Sequence, residues 1–385
     1  MSELRILISA AEVSGDVHAA NLVKAIKRIN PHTRFVGIGG ERMQKAGVDV
    51  RSITVHMGTI GLLEGVKYYP SFLKIRSMMK KILLQERPHV LILIDSRDFN
   101  LSIIRLAKKF AIPTVYYVAP PVWAWPDRKG KRVARTLDRI IAIFPFEAEV
   151  YRECGAKVTF VGHPLLDIVK PSMNKEETYH KFGLNSDRFI IGLLPGSREQ
   201  EINNLLPLML NTAGKVSKRL KDVQFLLPLA SPVFKDRIMK IVNKSNISVK
   251  IITNGVYEVM NISDLLIISS GTATLEASFL GTPMVIVYRT FLSTWLIGTI
   301  LIKLPYLGLP NILANKMIVP ELLQFQAKPG RLSNLVLELL SHPRKLEKMR
   351  IELKKIVKKL GEPGATDRAA KAIMEVASQR SLKFE

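Results

Sequence analysis

The sequence predicts an α/β protein made of two doubly wound, Rossmann-like domains, each with a parallel sheet between layers of helices. Two observations support this fold class. Short apolar runs typical of buried strands alternate with segments of helical periodicity, first over residues 4–161 and again over residues 189–288. At 385 residues, the chain is also long for a single hydrophobic core. We expect a first domain over 1–168, a second over 169–345, and C-terminal helices over 346–385 that pack back on the first domain.

Composition restricts the partner and the compartment. The chain carries 57 Lys and Arg against 33 Asp and Glu, a net charge of +24, which favours nucleic acid, an anionic membrane or a phosphorylated substrate. One cysteine, Cys154, excludes an intramolecular disulfide and a cysteine-rich metal site. The N-terminus does not read as a signal peptide, and the longest apolar run, Phe291–Ile302, is shorter than the ~20 residues of a membrane-spanning helix. We therefore expect a cytoplasmic protein.

The chain opens with a predicted buried strand, Leu4–Ser9, and a loop, Ala10–Asp16, at the carboxyl edge of the sheet. Three polar residues of this loop are either helix caps or site residues. Capping explains Ser14 and Asp16 well, but it gives no role to Glu12.

A later strand of the first domain, Val90–Ile94, delivers two carboxylates at its carboxyl end, Asp95 and Asp98. Carboxylates are costly to bury without partners, so Asp95 is expected either to pair with Arg97 or to cap the next helix. Asp98 is better placed to reach outward, and we interpret it as a general base.

In the second domain, the strand Phe189–Leu194 is followed by Pro195 and then by Gly196, Ser197 and Arg198. The serine is expected to cap the following helix. An arginine at this edge matches a diphosphate, because guanidinium binds phosphate oxygens in a bidentate way.

The strand Leu265–Ile268 leads into a loop of small residues and a short helix, before the strand Met284–Tyr288. Small residues let a ligand approach the backbone, and the helix N-terminus offers unpaired N–H groups that suit a phosphate. Glu276, on this helix, could accept hydrogen bonds from ribose hydroxyls. The alternative is a tight turn with Glu276 as a helix cap, and the local pattern leaves both interpretations open.

Several motifs together resemble one family of enzymes. They are Glu-Val-Ser-Gly-Asp (12–16), Val-Gly-Ile-Gly-Gly-Glu-Arg-Met (36–43), Ile-Asp-Ser-Arg-Asp-Phe-Asn (94–100), Tyr-Val-Ala-Pro-Pro-Val-Trp-Ala-Trp (117–125), Pro-Phe-Glu (145–147), Gly-His-Pro (162–164), Leu-Pro-Gly-Ser-Arg (194–198), Ser-Gly-Thr-Ala-Thr-Leu-Glu (270–276) and Leu-Pro-Asn-Ile-Leu-Ala (309–314). In this order and spacing, over nearly the whole chain, they resemble the lipid-A-disaccharide synthases. The family often has Asp-Ala-Pro-Asp-Phe-Asn where this chain has Ser96 and Arg97 between its aspartates, a change that bears on how Asp95 is paired.

The resemblance implies a GT-B glycosyltransferase, with two domains facing a cleft. Such enzymes transfer 2,3-diacylglucosamine, with inversion, from UDP-2,3-diacylglucosamine to the 6-hydroxyl of 2,3-diacylglucosamine 1-phosphate. The products are the β(1→6) lipid A disaccharide 1-phosphate and UDP. The family uses no metal or other cofactor and acts as peripheral proteins on the inner face of the cytoplasmic membrane of Gram-negative bacteria. The resemblance leaves a homodimer open.

The family's roles fall on matching positions of this sequence. Asp98 is the expected base, with Glu12 as the alternative. The expected UDP-binding positions lie in the two loop regions of the second domain and in the Leu-Pro-Asn motif. They are Gly196, Ser197, Arg198, Ser269, Ser270, Gly271, Thr272, Ala273, Glu276 and Asn311.

Two apolar segments are candidates for contact with acyl chains, Met57–Met79 and Phe291–Leu309. Within the first, the helix Tyr68–Arg87 also fits an ordinary core helix with solvated lysines. Basic residues near these segments would contact anionic headgroups.

Three other functions are compatible with parts of the pattern. A GT-B transferase with another acceptor, or an enzyme like UDP-GlcNAc 2-epimerase, would share the fold and the donor class. A nucleic-acid-binding protein would explain the charge, but the chain lacks interleaved aromatic and basic residues, so no nucleic-acid partner is expected.

Overall fold

The computed structural model describes residues 3–54, 65–95, 97–119, 134–290 and 305–381. The chain forms two compact units. The first unit comprises Met1–Asp167 together with Leu360–Glu385, and the second unit comprises Ile168–Lys359.

Strands and helices alternate along both units. The strands of the described part are β1 (Arg5–Ala10), β2 (Arg34–Gly39), β3 (Val48–Ile53), β4 (Val90–Ile94), β5 (Thr114–Tyr117), β6 (Arg139–Ala142), β7 (Val158–Phe160), β8 (Phe189–Leu194), β9 (Val223–Pro228), β10 (Lys250–Ile252), β11 (Leu265–Ser269), β12 (Met284–Tyr288) and β13 (Glu321–Leu323). The α-helices are α1 (Val13–Ile29), α2 (Glu41–Lys45), α3 (Gly65–Glu86), α4 (Arg97–Lys109), α5 (Pro145–Glu153), α6 (Leu165–Ile168), α7 (Lys175–Lys181), α8 (Glu199–Arg219), α9 (Lys235–Asn243), α10 (Val256–Ile262), α11 (Thr272–Phe279), α12 (Leu309–Ala314), α13 (Pro329–Leu340), α14 (Pro343–Lys358) and α15 (Ala365–Ser381).

Each unit contains one parallel sheet, which confirms the predicted fold class. The first sheet has the order β3-β2-β1-β4-β5-β6-β7, and the second has the order β10-β9-β8-β11-β12-β13. Strand order therefore reverses between β1 and β4 in one unit and between β8 and β11 in the other. Ligands of doubly wound proteins bind outside the carboxyl ends of strands at such switch points.

The central strands are completely buried because helices cover both faces of each sheet. All five residues of β4 and the apolar residues of β11 have no exposed surface. On α3, Ile75, Met79 and Leu83 pack into the core, as expected of an ordinary core-packed helix, while Lys74, Lys80 and Lys81 are exposed. Residues 57–64, at the start of the predicted apolar segment 57–79, lie outside the described residues.

The last helix belongs to the first unit. Helix α15 packs against α1, and Ala369 and Ile373 are fully buried. The return begins at Leu360 and not at residue 346. The reason is that α14 places Leu346 and Leu353 in the core of the second unit.

Hydrogen bonds fix the point at which the chain re-enters the first unit. The His163 N–H donates to the Leu360 carbonyl at 2.9 Å. The Gly364 N–H donates to Asp167 Oδ1 at 2.6 Å, and Arg368 Nε donates to the Val161 carbonyl at 2.8 Å. The segment that leaves the first unit and the segment that returns to it are thus joined side by side.

Several elements differ from the sequence prediction. Helix α1 begins at Val13, so Ser14 and Asp16 lie in its first turn and not in a loop. Helix α2 and the edge strands β3 and β13 were not predicted. Strand β13 has only three residues, which is too short to give a periodic pattern.

In the described residues, none of the helices combines the length and the apolar character that crossing a membrane requires.

Candidate active site

Two loops of the second unit leave neighbouring strands at the same edge of the sheet. Strands β8 and β11 are paired in register, with Ile268 beside Leu194. The loop that begins at Pro195 and the loop that begins at Ser270 therefore start about 5 Å apart, the spacing of adjacent strands. The structure thus brings together the two loops that the sequence singled out.

The first loop bends at Gly196, which has a positive φ of 112°. Ser197 does not cap α8; Arg198 is its N-cap residue. Glu201 Oε2 accepts hydrogen bonds from the N–H groups of Ser197 at 3.1 Å and Arg198 at 3.3 Å. The Arg198 side chain is 53% exposed and lies 3.4 Å from Glu201 Oε1. The arginine therefore lies at the sheet edge beside the Glu201 carboxylate.

The second loop exposes backbone at the N-terminus of α11. Gly271 is the N-cap residue, and a Cβ atom built on it would have open space around it. Thr272 and Ala273 follow in the first helical turn. Ser269 Oγ is buried with no hydrogen-bond partner among the described residues. Unpaired polar groups and open space at a helix N-terminus suit an anion.

Ser270 holds this loop to a neighbouring segment. Its hydroxyl donates to the Leu307 carbonyl at 3.2 Å. Glu321, on β13, accepts hydrogen bonds from the N–H groups of Leu307 at 2.9 Å and Gly308 at 3.0 Å. Ser270 therefore has a bracing role in addition to its predicted place in the loop.

Glu276 lies half-buried on α11, one turn beyond the loop. Tyr257 donates its hydroxyl hydrogen bond to Glu276 Oε1 at 3.2 Å. Burial raises the pKa of the Glu276 carboxyl, and the tyrosine hydrogen bond opposes that rise. A carboxylate with one neutral donor retains acceptor capacity for further hydroxyl groups.

Asn311 differs from its predicted role as a UDP contact. Its side chain is completely buried, and its amide donates to the Val319 carbonyl at 2.8 Å and to Glu321 at 2.7 Å. Its oxygen accepts from the N–H groups of Ile318 and Val319. The structure thus makes Asn311 a brace between α12 and β13, with no surface left for a ligand.

In the first unit, Glu12 and Asp95 follow neighbouring strands, since Ala10 pairs with Ile94. Glu12 is the N-cap residue of α1 but makes no side-chain cap hydrogen bond. Ser14 Oγ donates to Asp95 Oδ2 at 3.0 Å. The side chains of Arg97 and Asp98 lie outside the described residues; the backbone of Asp98 is in the first turn of α4, directly after β4.

Asp16 has a structural role that the sequence did not reveal. Its carboxylate accepts hydrogen bonds from the N–H groups of Gly40, Arg42 and Met43 at 3.0–3.1 Å. It caps the N-terminus of α2, a distant helix, and not that of its own helix.

Asn100 fixes the backbone at the end of β4. Its side chain is fully buried, accepts from Ser9 Oγ at 2.9 Å and donates to the Asp95 carbonyl at 2.7 Å. The Tyr116 hydroxyl donates to the same carbonyl. Asp95 has a positive φ of 54°, and these bonds hold it there. The backbone between β4 and α4 is therefore fixed by side chains from β1, α4 and β5.

Two buried histidines of the first unit were also not assigned a role from sequence. Burial lowers the pKa of His18, and the charge of Asp95 opposes that shift. Burial lowers the pKa of His163 to about 3, and its Nδ1 accepts from the Leu165 N–H at 3.2 Å. Both imidazoles are therefore neutral at physiological pH.

Comparisons with known proteins agree with this geometry. A family model described as lipid-A-disaccharide synthetase matches residues 6–376. The lipid-A-disaccharide synthase of Syntrophus aciditrophicus is 40% identical over 374 residues, covering 96% of this chain and 97% of that protein. The enzyme of the same name from Geobacter sulfurreducens is 38% identical over 376 residues, with 98% of each chain covered.

Solved structures share the fold at low sequence identity. UDP-GlcNAc 2-epimerase from Neisseria meningitidis, bound to UDP-GlcNAc, has a TM-score of 0.64 at 14% identity and covers 97% of this chain and 99% of its own. A glycosyltransferase from Rickettsia africae has a TM-score of 0.55 at 13% identity, with 99% of each chain covered. These matches confirm the predicted GT-B fold.

Proposed function

The chain belongs to the lipid-A-disaccharide synthetase family, and we infer that it is a glycosyltransferase that joins two acylated sugars into the lipid A disaccharide. The observation that carries this inference is the family match over residues 6–376, which includes the loops at both switch points. We propose UDP-2,3-diacylglucosamine as the donor and 2,3-diacylglucosamine 1-phosphate as the acceptor, with inversion at the transferred sugar and release of UDP.

The donor's UDP is assigned to the second unit. Arg198 supplies a cation for the diphosphate, and the N-terminus of α11 supplies unpaired N–H groups around Gly271. Glu276 accepts hydrogen bonds from the ribose hydroxyls. The guanidinium and the helix N-terminus together stabilise the negative charge that develops on the leaving UDP, so the proposed transfer needs no metal ion.

The catalytic base is assigned to the first unit. An inverting transfer needs a carboxylate that takes the proton from the acceptor hydroxyl as the new bond forms. Asp98 is the first candidate because it lies in the first turn of α4, directly after β4, at the switch point. Glu12 is the alternative because it follows the neighbouring strand β1.

A direct assay tests the reaction and the base together. Purified protein with both lipid substrates and EDTA should release UDP and form the disaccharide 1-phosphate. Asp98→Asn should lower kcat at least a hundredfold with little change in UDP affinity, whereas Glu12→Gln should lower it less. Loss of activity in Glu12→Gln alone would exchange the two roles. Absence of product, or a requirement for a divalent metal, would refute the proposed reaction.

We also propose that the protein binds the inner surface of the cytoplasmic membrane, where its lipid substrates reside. Helix α14 supplies one surface for this contact. Its inner face is buried, and its outer face forms what we term the basic stripe. The basic stripe consists of Arg344, Lys348, Ile351, Lys355 and Lys358.

The basic stripe suits an anionic membrane surface. It is about 21 Å long at the rise of an α-helix, and the exposed Ile351 lies at its centre. Lys355 pairs with Glu352 at 2.7 Å. Basic residues near an anionic membrane contribute about 1 kcal/mol each. Residues 291–304 of the predicted apolar segment 291–309 lie outside the described residues.

Sedimentation with vesicles tests the basic stripe. Lys348→Glu with Lys358→Glu should weaken binding to vesicles that contain anionic lipid by at least tenfold at low salt. Lys218→Glu with Lys240→Glu is the matched control, because it changes the net charge equally at exposed sites on other helices. Equal loss in both double variants would assign the binding to net charge and not to α14.

A further inference from the structure

The carboxylate of Glu201 lies in the place where the first loop would receive a phosphate. It accepts the N–H groups of Ser197 and Arg198 through Oε2, and it faces the Arg198 guanidinium through Oε1. These are the groups that an anion would use at this turn between a strand and a helix. An internal anion therefore already occupies them.

The position of the carboxylate over Gly196 supports this interpretation. A Cβ atom at Gly196 would lie 2.1 Å from Glu201 Oε2, so the oxygen rests in the space that the missing side chain leaves. Glycine at such a turn allows a ligand phosphate to approach the backbone closely.

The carboxylate is held loosely. Its three contacts measure 3.1, 3.3 and 3.4 Å, longer than the ~2.7–2.9 Å of strong charge-assisted hydrogen bonds. Burial also raises the pKa of the Glu201 carboxyl, against the opposing effect of Arg198 and the two N–H groups. The carboxylate is therefore stabilised less in this position than an anion with shorter hydrogen bonds to the same groups would be.

The charged and titratable surroundings of Glu201 come from two elements. Arg198, at the start of the helix that carries Glu201, is the neighbouring cation. The negative charge of Glu201 adds to the rise in the pKa of Tyr288, which lies at the end of β12. Arg237 on α9 instead pairs with Glu199 at 2.7 Å. Glu199 therefore has its own partner and offers a matched control.

We propose that Glu201 occupies the diphosphate position in the free enzyme and is displaced from it when UDP binds. This inference rests on the proposed UDP site. Exchange of one anion for another lowers the net affinity for UDP and lets the returning carboxylate assist release of the product. Glu201 is therefore a positioning residue that competes with the ligand.

Calorimetric titration with UDP tests this exchange. Glu201→Gln should bind UDP about tenfold more tightly than the unmodified protein, because the amide keeps an acceptor oxygen without the charge. Glu199→Gln removes a charge from the same helical turn and should bind within about twofold of the unmodified protein.

Proton uptake gives a second measurement that does not depend on a variant. Displacement by the diphosphate removes Arg198 and the two N–H groups, which lower the pKa of the Glu201 carboxyl, so UDP binding at mildly acidic pH should take up more protons in the unmodified protein than in Glu201→Gln. Titrations in buffers of different ionisation enthalpy measure this uptake, and Glu201→Gln should reduce it.

The outcomes are distinct. Unchanged or weaker UDP binding in Glu201→Gln would overturn the inference and make Glu201 a brace of the loop. Failure of UDP to bind the unmodified protein would instead refute the proposed UDP site.

Discussion

Replacement of His163 by asparagine should make the first unit less sensitive to acid. The His163 imidazole is 3% exposed, its ring centroid lies 5.0 Å from that of Phe144 in a tilted arrangement, and its Nδ1 accepts a hydrogen bond from the Leu165 N–H. Burial lowers the pKa of His163 to about 3, from 6.5 in an unfolded chain, and the positive charge of a protonated His18 acts in the same direction. An asparagine oxygen can replace Nδ1 as the acceptor but does not titrate.

The magnitude follows from linkage between protonation and folding. Because the pKa of His163 is lower in the folded state, the unfolded state binds more protons as the pH falls through 6.5. The contribution of the neutral imidazole to the free energy of unfolding is therefore fully present at neutral pH and decreases as the pH is lowered. With pKa values of 6.5 and about 3, lowering the pH from 7.5 to 5.0 costs about 2 kcal/mol. The pKa of His18 is lowered too, so some acid sensitivity remains in the variant.

Urea unfolding at pH 7.5 and pH 5.0 measures this difference. His163→Asn should lose about 2 kcal/mol less free energy of unfolding over this range than the unmodified protein. His32→Asn, at an exposed position, should behave like the unmodified protein. Equal losses in His163→Asn and the unmodified protein would refute the assignment of a buried, neutral imidazole.

Three further predictions concern single side chains. Asn311→Ala should lower the free energy of unfolding by about 3 kcal/mol in urea titrations, because it leaves buried partners unpaired; a loss of UDP affinity without loss of stability would instead restore the predicted contact. Glu276→Ala should weaken UDP about tenfold but 2′-deoxy-UDP less, as calorimetry can measure; equal losses for both would argue against a ribose contact. Asp16→Ala should lower the free energy of unfolding by about 3 kcal/mol in thermal or urea unfolding, and Asp16→Asn should lower it less, because the amide keeps one acceptor oxygen. If both variants were as stable as the unmodified protein, capping of α2 by Asp16 would be unimportant.

The sequence predicted the strands and loops at the switch points because their signals are local. Buried strands such as β4 and β11 are uninterrupted apolar runs, and each is followed by small or acidic residues at the sheet edge. The family match confirms the function that the combined motifs implied.

What the sequence could not predict depends on contacts between distant residues. Asp16 lies in a stretch that suits a cap for its own helix, but it caps α2 more than twenty residues later. Asn311 sits in a motif suited to a ligand, yet Glu321 and β13 use its hydrogen bonds. Only Val48 of edge strand β3 is buried, and Asp49 belongs to a residue type that is depleted in strands, so the segment gives a weak strand signal.

The return of the chain at Leu360 determines the order in which the protein can fold during synthesis. The second unit is complete once Lys359 has been made, whereas the first unit still lacks α15. Ribosomal synthesis usually lets the N-terminal domain fold first. Here the face of α1 that α15 covers stays open until translation reaches the last helix. The second unit can therefore fold while the first is still incomplete, and early termination before Leu360 would leave apolar surface of the first unit exposed to aggregation.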